Sequence, residues 1–266
     1  DTLISIENIT GSAHGDTITG DDADNVISGG AGTDIINGGA GNDTLSAGYD
    51  VGYDGAEPES GTDIVHGNQG DDILSTYGYP VSSAEYYGDE GNDTFYFQTP
   101  QAWFTETAEK ISAYGGADND KFIVMDMAQG KIDGGDGIDS FYTQTQDYKG
   151  PHGYTYIELS NVENLYTGIY YAVFTPEQLE SFQNIAFSDT DPTKRPQVGV
   201  RVSGQTTLDL GAQLHGRGVD IRANTGITEL RTSDGDDLIT GGGDSILDGR
   251  GGNDKIIGLE GKNTLI

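Results

Sequence analysis

The 266-residue chain has no cysteine, so disulfides and thiolate chemistry play no part and no Cys/His spacing of the zinc-site kind exists. Positive charge is scarce: Lys and Arg number 13 against 44 Asp and Glu, for a formal net charge of −31. The first cation along the chain is Lys110, and nine of the thirteen fall from Lys194 onward. Such a surface repels nucleic acid and anionic membranes, and it repels itself when compact unless cations arrive from outside. No apolar run approaches the ~18 residues of a membrane span, and no basic start with an apolar middle marks a secretory signal. With 34% hydrophobic residues, composition alone would leave the chain disordered. The four histidines, His14, His66, His152 and His215, are far apart in sequence. The chain starts at Asp1 without a methionine and stops inside a repeat at Ile266, which reads as a piece of a longer protein.

Glycine, by contrast, is abundant at 42 residues, and much of it is periodic. Residues 11–46 divide into four nine-residue blocks, GSAHGDTIT, GDDADNVIS, GGAGTDIIN and GGAGNDTLS. Asp16, Asn25, Asp34 and Asp43 recur in register, as do Ile18, Ile27, Ile36 and Leu45. Glycine at positions one, two and four lets the backbone take φ > 0 and turn tightly with its carbonyls inward. Aspartate at position six adds a carboxylate, and hard oxygen ligands of both kinds suit calcium. The last three residues of a block make a short strand whose middle side chain points to one face, which becomes the core. Gly and Asp also favour ordinary turns, but contiguous copies in register, with outlying copies on the same pattern, select the metal-binding repeat.

The third and fourth blocks spell G-G-x-G-x-D-x-U-x in full, with U apolar, and here the sequence resembles the RTX (repeats-in-toxin, hemolysin-type calcium-binding) family. That resemblance implies an all-β fold, a right-handed parallel β-roll or β-helix solenoid in which two nonapeptides make one 18-residue coil. It also implies calcium ions held in the Gly/Asp-rich turns, between successive turns along each edge. The implied ligand-bearing residues are Asp16, Asn25, Asp34, Asp43, Asp63, Asp72, Asp93, Asp120, Asp139, Asp237, Asp244, Asp254 and Asn263. Their turn glycines are Gly29, Gly30, Gly32, Gly38, Gly39, Gly41, Gly61, Gly70, Gly88, Gly91, Gly115, Gly116, Gly134, Gly135, Gly137, Gly235 and Gly252. Asn25 and Asn263 offer neutral oxygens and are expected to bind more weakly.

The 18-residue coil assigns turns to edges. Asp16 and Asp34 fall on a first edge, Asn25 and Asp43 on a second. Residues 47–58 break the period; counted as one lengthened turn on the first edge, they put Asp63 on the second edge and Asp72, Asp93, Asp120 and Asp139 on the first. The opposite edge is then filled by residues 76–87, 97–114 and 124–133, poor in Gly-x-Asp. Over the same span the core position changes to Phe95, Phe122 and Phe141, as expected of a roll that widens toward residue 140 and needs larger side chains to fill it. Tyr77, Tyr79, Tyr86, Tyr87, Trp103 and Phe104 either pack over the irregular edge and close it or present a glycan or partner surface.

Three domains are expected: a calcium-binding roll over 1–142, a calcium-poor β-rich continuation or insert over 143–231, and a second repeat block over 232–266. In the middle region, Thr175-Pro176-Glu177-Gln178 reads as a helix start, predicting a short helix near 176–184 with Leu179 and Phe182 inward. The last block, TSDGDDLIT, GGGDSILD, GRGGNDKII and GLEGKNTLI, places Ile239, Ile246, Ile256 and Leu265 in the core. Candidate acid–base groups, His66, His152, Lys110 and Tyr86, have no diagnostic spacing, and the paired acids are accounted for as ligands.

The expected function is thus a non-catalytic, extracellular, calcium-binding module of a secreted or cell-surface protein, S-layer or adhesin-like, exported by a type I system as the resemblance implies. Its partners would be calcium ions, a cell-surface glycan or neighbouring copies, with no nucleic acid and no membrane insertion. A module of a polysaccharide-modifying enzyme, or a glycan-binding adhesin using the aromatic edge, is the alternative.

Overall fold

The computed structural model describes residues 6–48, 61–76, 83–98, 110–126, 129–143, 152–154, 156–168, 172–188, 194–201, 206–223 and 226–266. Two compact units are present: Asp1–Phe141 with Tyr156–Val162, and Tyr142–Thr155 with Glu163–Ile266. Tyr77, Tyr79, Trp103 and Phe104 lie outside the described residues.

In the first unit successive strands alternate between two parallel sheets, so each coil contributes one strand to each. One sheet stacks Asn8–Thr10, Val26–Gly30, Thr44–Gly48, Ile73–Thr76, Thr94–Gln98, Lys121–Asp126 and Ser140–Thr143. The other stacks Thr17–Thr19, Ile35–Ala40, Thr62–Gln69, Ser83–Glu90, Lys110–Ala117, Gln129–Asp136 and Ile157–Ser160. Like positions pair: Ile27, Leu45, Leu74, Phe95 and Phe122 form one inward row, and Ile36, Val65, Tyr86, Ala113 and Ile132 the facing one. Every one of these side chains is buried, each contributing on the order of 1–3 kcal/mol according to size. Phe95 stacks on Phe122 with centroids 4.7 Å apart, and Tyr86 packs against Phe97 at 5.5 Å. The expected core positions Ile27, Ile36, Leu45, Phe95, Phe122 and Phe141 are therefore inside, while Ile18 in an early coil is only half-buried.

The strands are longer than the three residues expected. Val26–Gly30 and Ile35–Ala40 run on through the first two glycines of the following block, and four strands of the second sheet reach eight residues.

Edge assignment after the break at 47–58 differs from the expectation. Strand Thr62–Gln69 pairs with Ile35–Ala40, Ile64 opposite Ile35, so Asp63 joins the edge of Asp16 and Asp34. Asp72 joins the edge of Asn25 and Asp43, followed by Asp93, Asp120 and Asp139. No half-coil is added between Gly48 and Thr62, since Thr44–Gly48 lies in one sheet and the next strand, Thr62–Gln69, in the other, and strand pairing constrains only the two ends of an insertion. The edge of Asp63 then loses its acids, since the next residues in register are Ala84 and Ile111. Along the persistent edge the spacing between equivalent residues runs 18, 29, 21, 27 and 19. Coil length thus varies from coil to coil, in place of the steady widening toward residue 140.

In the second unit the strands His152–Gly153, Ala172–Phe174, Gln197–Val200, Asp220–Ala223, Leu238–Gly241 and Lys255–Gly258 form one parallel sheet. Thr206–Asp209, Ile227–Arg231, Ile246–Asp248 and Thr264–Leu265 form another. The strands of the repeat-free middle therefore pair in register with those of the last repeats, Ile221 against Ile239 and Leu230 against Leu247. In the shortened block 241–248 the inward residue is Leu247, with Ile246 partly exposed, so the missing residue lies before the strand and the core position is one later than expected. Ile239 is buried, Ile256 half-buried, and Leu265 in the last coil exposed.

The short helix Pro176–Ser181 starts as predicted. Thr175 accepts the Gln178 N–H through its hydroxyl, Gln178 returns a hydrogen bond to the Thr175 N–H, and Pro176 occupies the first turn. Leu179 and Phe182 are buried beneath it. Thr175→Ala removes one half of this reciprocal cap, and a loss of about 1 kcal/mol is expected in a urea titration of the calcium-loaded protein.

Candidate metal centre

The position-six acids form columns that tie coil to coil. On the persistent edge each carboxylate reaches back one coil: Asp43 Oδ1 accepts the Asn25 N–H at 2.7 Å, Asp72 that of Asp43 at 2.6 Å, and Asp93 that of Asp72 at 2.8 Å. Asp120 and Asp139 continue the column at 2.8 and 2.7 Å. The other edge carries a short column, with Asp34 on the Asp16 N–H at 2.8 Å and Asp63 on that of Asp34 at 2.9 Å. In the second unit Asp254 accepts the Asp237 N–H at 2.9 Å. There the column position in the shortened block is Ser245, whose N–H donates to Asn263 at 3.4 Å. Asp244, expected as the ligand, sits one residue earlier and accepts the Lys262 N–H at 2.7 Å.

Asp244 belongs to a second column, at position five, that the nonapeptide pattern leaves unspecified. Asp24 Oδ1 accepts the Asn42 N–H, Asn42 that of Asp71, Asp71 that of Asn92, Asn92 that of Asn119, and Asn119 that of Ile138, at 2.8 to 3.2 Å. Asp236 does the same for Asn253 at 2.8 Å. These bonds run opposite to those of position six, so neighbouring coils exchange side-chain-to-backbone bonds in both directions. The sequence signal is an unbroken series of Asp or Asn immediately before the column acid, ending at Ile138, which has no acceptor to pass on.

Glycine fulfils two different requirements in these turns. At positions two and four φ is positive, as at Gly39 (119°) and Gly41 (104°). Asn68, Asp89 and Arg250 also take position two, with φ of 78°, 74° and 59°; Asn and Asp tolerate that region best after glycine. Position one was expected to share the positive φ, yet its requirement is space. A Cβ on Gly38 would come within 2.2 Å of Asp43 Oδ2 in its own turn and 2.7 Å of the Gly67 carbonyl in the next coil. Gly29, Gly88, Gly115 and Gly134 are confined in the same way by Asp34, Asp93, Asp120 and Asp139.

Stacking acids in this way raises their proton affinity. Burial is the main cause for Asp43, Asp72, Asp93 and Asp120, opposed by the N–H each accepts and reinforced by neighbouring carboxylates. Asp72 and Asp93 are pushed up to about 7 and Asp120 to about 8. At the outer coil Asp16 moves the other way, because it accepts hydrogen bonds from the Ser12 backbone and hydroxyl.

The arrangement fits a hard divalent cation. The second carboxylate oxygens of Asp43, Asp72, Asp93 and Asp120 are shut off from solvent and accept no hydrogen bond, a costly condition for an isolated charge. Carbonyls of the neighbouring coil crowd the same turns. Among the described residues no three acidic or histidine side chains gather at one point, so two carboxylates from adjacent coils would be completed by backbone oxygens. Bound calcium would supply the positive charge these columns lack. The Asn25 oxygen already accepts the Asp21 N–H at 2.8 Å, which leaves that first turn a poorer ligand set.

The remaining sequence-predicted residues sit elsewhere. Tyr86 is fully buried, so it belongs to the core and cannot be part of a presented surface. Tyr87 lies between His66 and Tyr114, stacked at 4.5 and 4.9 Å, and Lys131 covers the Tyr114 ring at 4.7 Å. Rings stacked along successive coils bury their faces in one another, and those faces are what a sugar ring would need. His66 Nδ1 is 2.9 Å from Asp89 Oδ2.

The profile of the RTX calcium-binding nonapeptide repeat matches the chain in four copies, at residues 10–45, 59–78, 223–245 and 231–265. None of the curated proteins matches it. The column continues through Asp93, Asp120 and Asp139, beyond the matched residues.

Proposed function

Since this chain carries RTX calcium-binding nonapeptide repeats in a parallel β-solenoid, we propose that it is a non-catalytic extracellular module that folds on calcium and stiffens a larger secreted or cell-surface protein. The observation that carries this reading is the buried column from Asp43 to Asp120, in which the second carboxylate oxygen of each acid has no donor. In a calcium-poor cytosol these acids and the net charge of −31 oppose compaction; at roughly millimolar extracellular calcium, binding supplies folding free energy. Export in the unfolded state by a type I system is consistent with that logic, and so is a place in an S-layer or adhesin-like surface protein. In this reading Asp34, Asp43, Asp63, Asp72, Asp93, Asp120, Asp139 and Asp254 supply carboxylate oxygens. Circular dichroism tests it: little β structure is expected in chelator at neutral pH and a cooperative gain on adding calcium. Equal spectra in the two conditions would refute the proposal.

A further inference from the structure

In the second unit the first turn of the repeat block, residues 232–237, departs from the pattern of the others at three points. Position one is Thr232 where Gly38 and Gly115 stand in the first unit; it is buried, and its hydroxyl donates to Asp237 Oδ2 at 2.5 Å. The column residue of the preceding coil is Val219, whose N–H donates to Asp237 Oδ1 at 2.8 Å but which adds no carboxylate. Arg195 donates from Nη1 to the carbonyl of Asp236 at 2.6 Å, which sets a guanidinium beside the turn. Asp237 therefore has a donor on each oxygen, while Asp43, Asp72, Asp93 and Asp120 each have one oxygen with none.

A divalent cation needs oxygens not already committed to donors, and it is repelled by a fixed positive charge. The step between Val219 and Asp237 offers one carboxylate in place of two, both of its oxygens taken, with a guanidinium beside it. We propose that turn 232–237 is closed by the protein's own groups, with Arg195 as a built-in cation and Thr232 as the donor, and that it takes no calcium although a copy of the repeat profile spans it at 223–245. The turn is a metal-independent end rung. The next step keeps the ordinary form, with Asp254 accepting the Asp237 N–H and its other oxygen packed against Gly249. Strands Asp220–Ala223 and Leu238–Gly241, which flank the rung, then hold together without metal and give the final repeats a formed surface on which to stack.

The inference rests on calcium being the ligand of the other rungs, and amide hydrogen exchange on the full chain separates the two. In chelator at neutral pH the Val219 amide is expected to be protected, and calcium should alter that protection by less than about threefold, whereas the Asp72 and Asp93 amides should gain at least about a hundredfold. Arg195→Gln and Thr232→Val should each lower Val219 protection in chelator by about tenfold, and Arg195→Lys should retain most of it. A Val219 amide that gains protection with calcium as Asp72 does, or that is unaffected by both substitutions, overturns the inference. If Arg195→Gln fails to fold, Thr232→Val and the wild-type comparison decide. Should calcium leave the Asp72 and Asp93 amides unchanged, the calcium reading fails, while protection of Val219 in chelator would still uphold the closed rung.

Discussion

In chelator, lowering the pH from about 8 to about 5 is expected to increase the β-sheet signal of the chain, reversibly, without any metal. Ordinary acidic proteins gain nothing on such a change, because carboxylates paired in the fold stay ionised down to about pH 5 and lose their contribution only at lower pH. Here the folded-state values of Asp72, Asp93 and Asp120, at about 7, 7 and 8, lie far above the ordinary 3.8. A group raised in this way binds protons more tightly when folded, so its stabilising contribution is complete below its unfolded value and is lost as pH rises through the folded one. The gain should build as pH falls from about 8 toward 4, most of it below pH 7, and partial neutralisation of the net charge of −31 acts in the same direction. Calcium at pH 8 should produce the same gain by compensating the same carboxylates. Its affinity should then fall on acidification, since proton and metal compete for one set of oxygens. Circular dichroism across pH with and without chelator measures both arms. A chelated chain that loses β structure toward pH 5 would show that the columns do not carry the folding equilibrium.

Gly115→Ala should abolish the cooperative calcium-induced transition of the first unit, a loss of at least about 3 kcal/mol. The added methyl would come within 2.1 Å of Asp120 Oδ2 and 2.2 Å of the Gly134 carbonyl, the carboxylate of its own turn and the backbone of the next coil. Neither can give way without breaking the column, because Asp120 also holds the Asp93 N–H. Gly216→Ala is the informative control. Its φ of 75° strains a side chain, but nothing lies within 4 Å of the new methyl, and about 1 kcal/mol is expected. Calcium titrations followed by near- and far-ultraviolet circular dichroism distinguish the two; equal modest losses would mean that position one needs only the conformational freedom of glycine.

The nine-residue period was enough to place Asp34 and Asp43 in buried columns and Ile27, Ile36 and Leu45 in the core, because the contacts involved recur within one turn or at a spacing of 18. Past the break the type of contact stayed legible in Asp72, Asp93 and Asp120, but their edge did not. An insertion of unknown path leaves the number of half-coils open, and only the pairing of Ile35 with Ile64 decides it. The deletion in 241–248 moved the column from Asp244 to Ser245 for the same reason.

What the sequence determined by itself is therefore the local chemistry: the turn, its carboxylate, its apolar strand residue and the Thr175 cap, each set by residues within a few positions of one another. The tertiary structure alone decided which turns stack, that a second column of Asp and Asn runs beside the first, that Tyr86 is inside, and that Arg195, distant in sequence, reaches the Asp236 carbonyl. In a solenoid each coil touches only its neighbours, and the length of chain between them varies from 17 to 29 residues. Sequence distance then no longer measures position along the stack; backbone pairing between coils does.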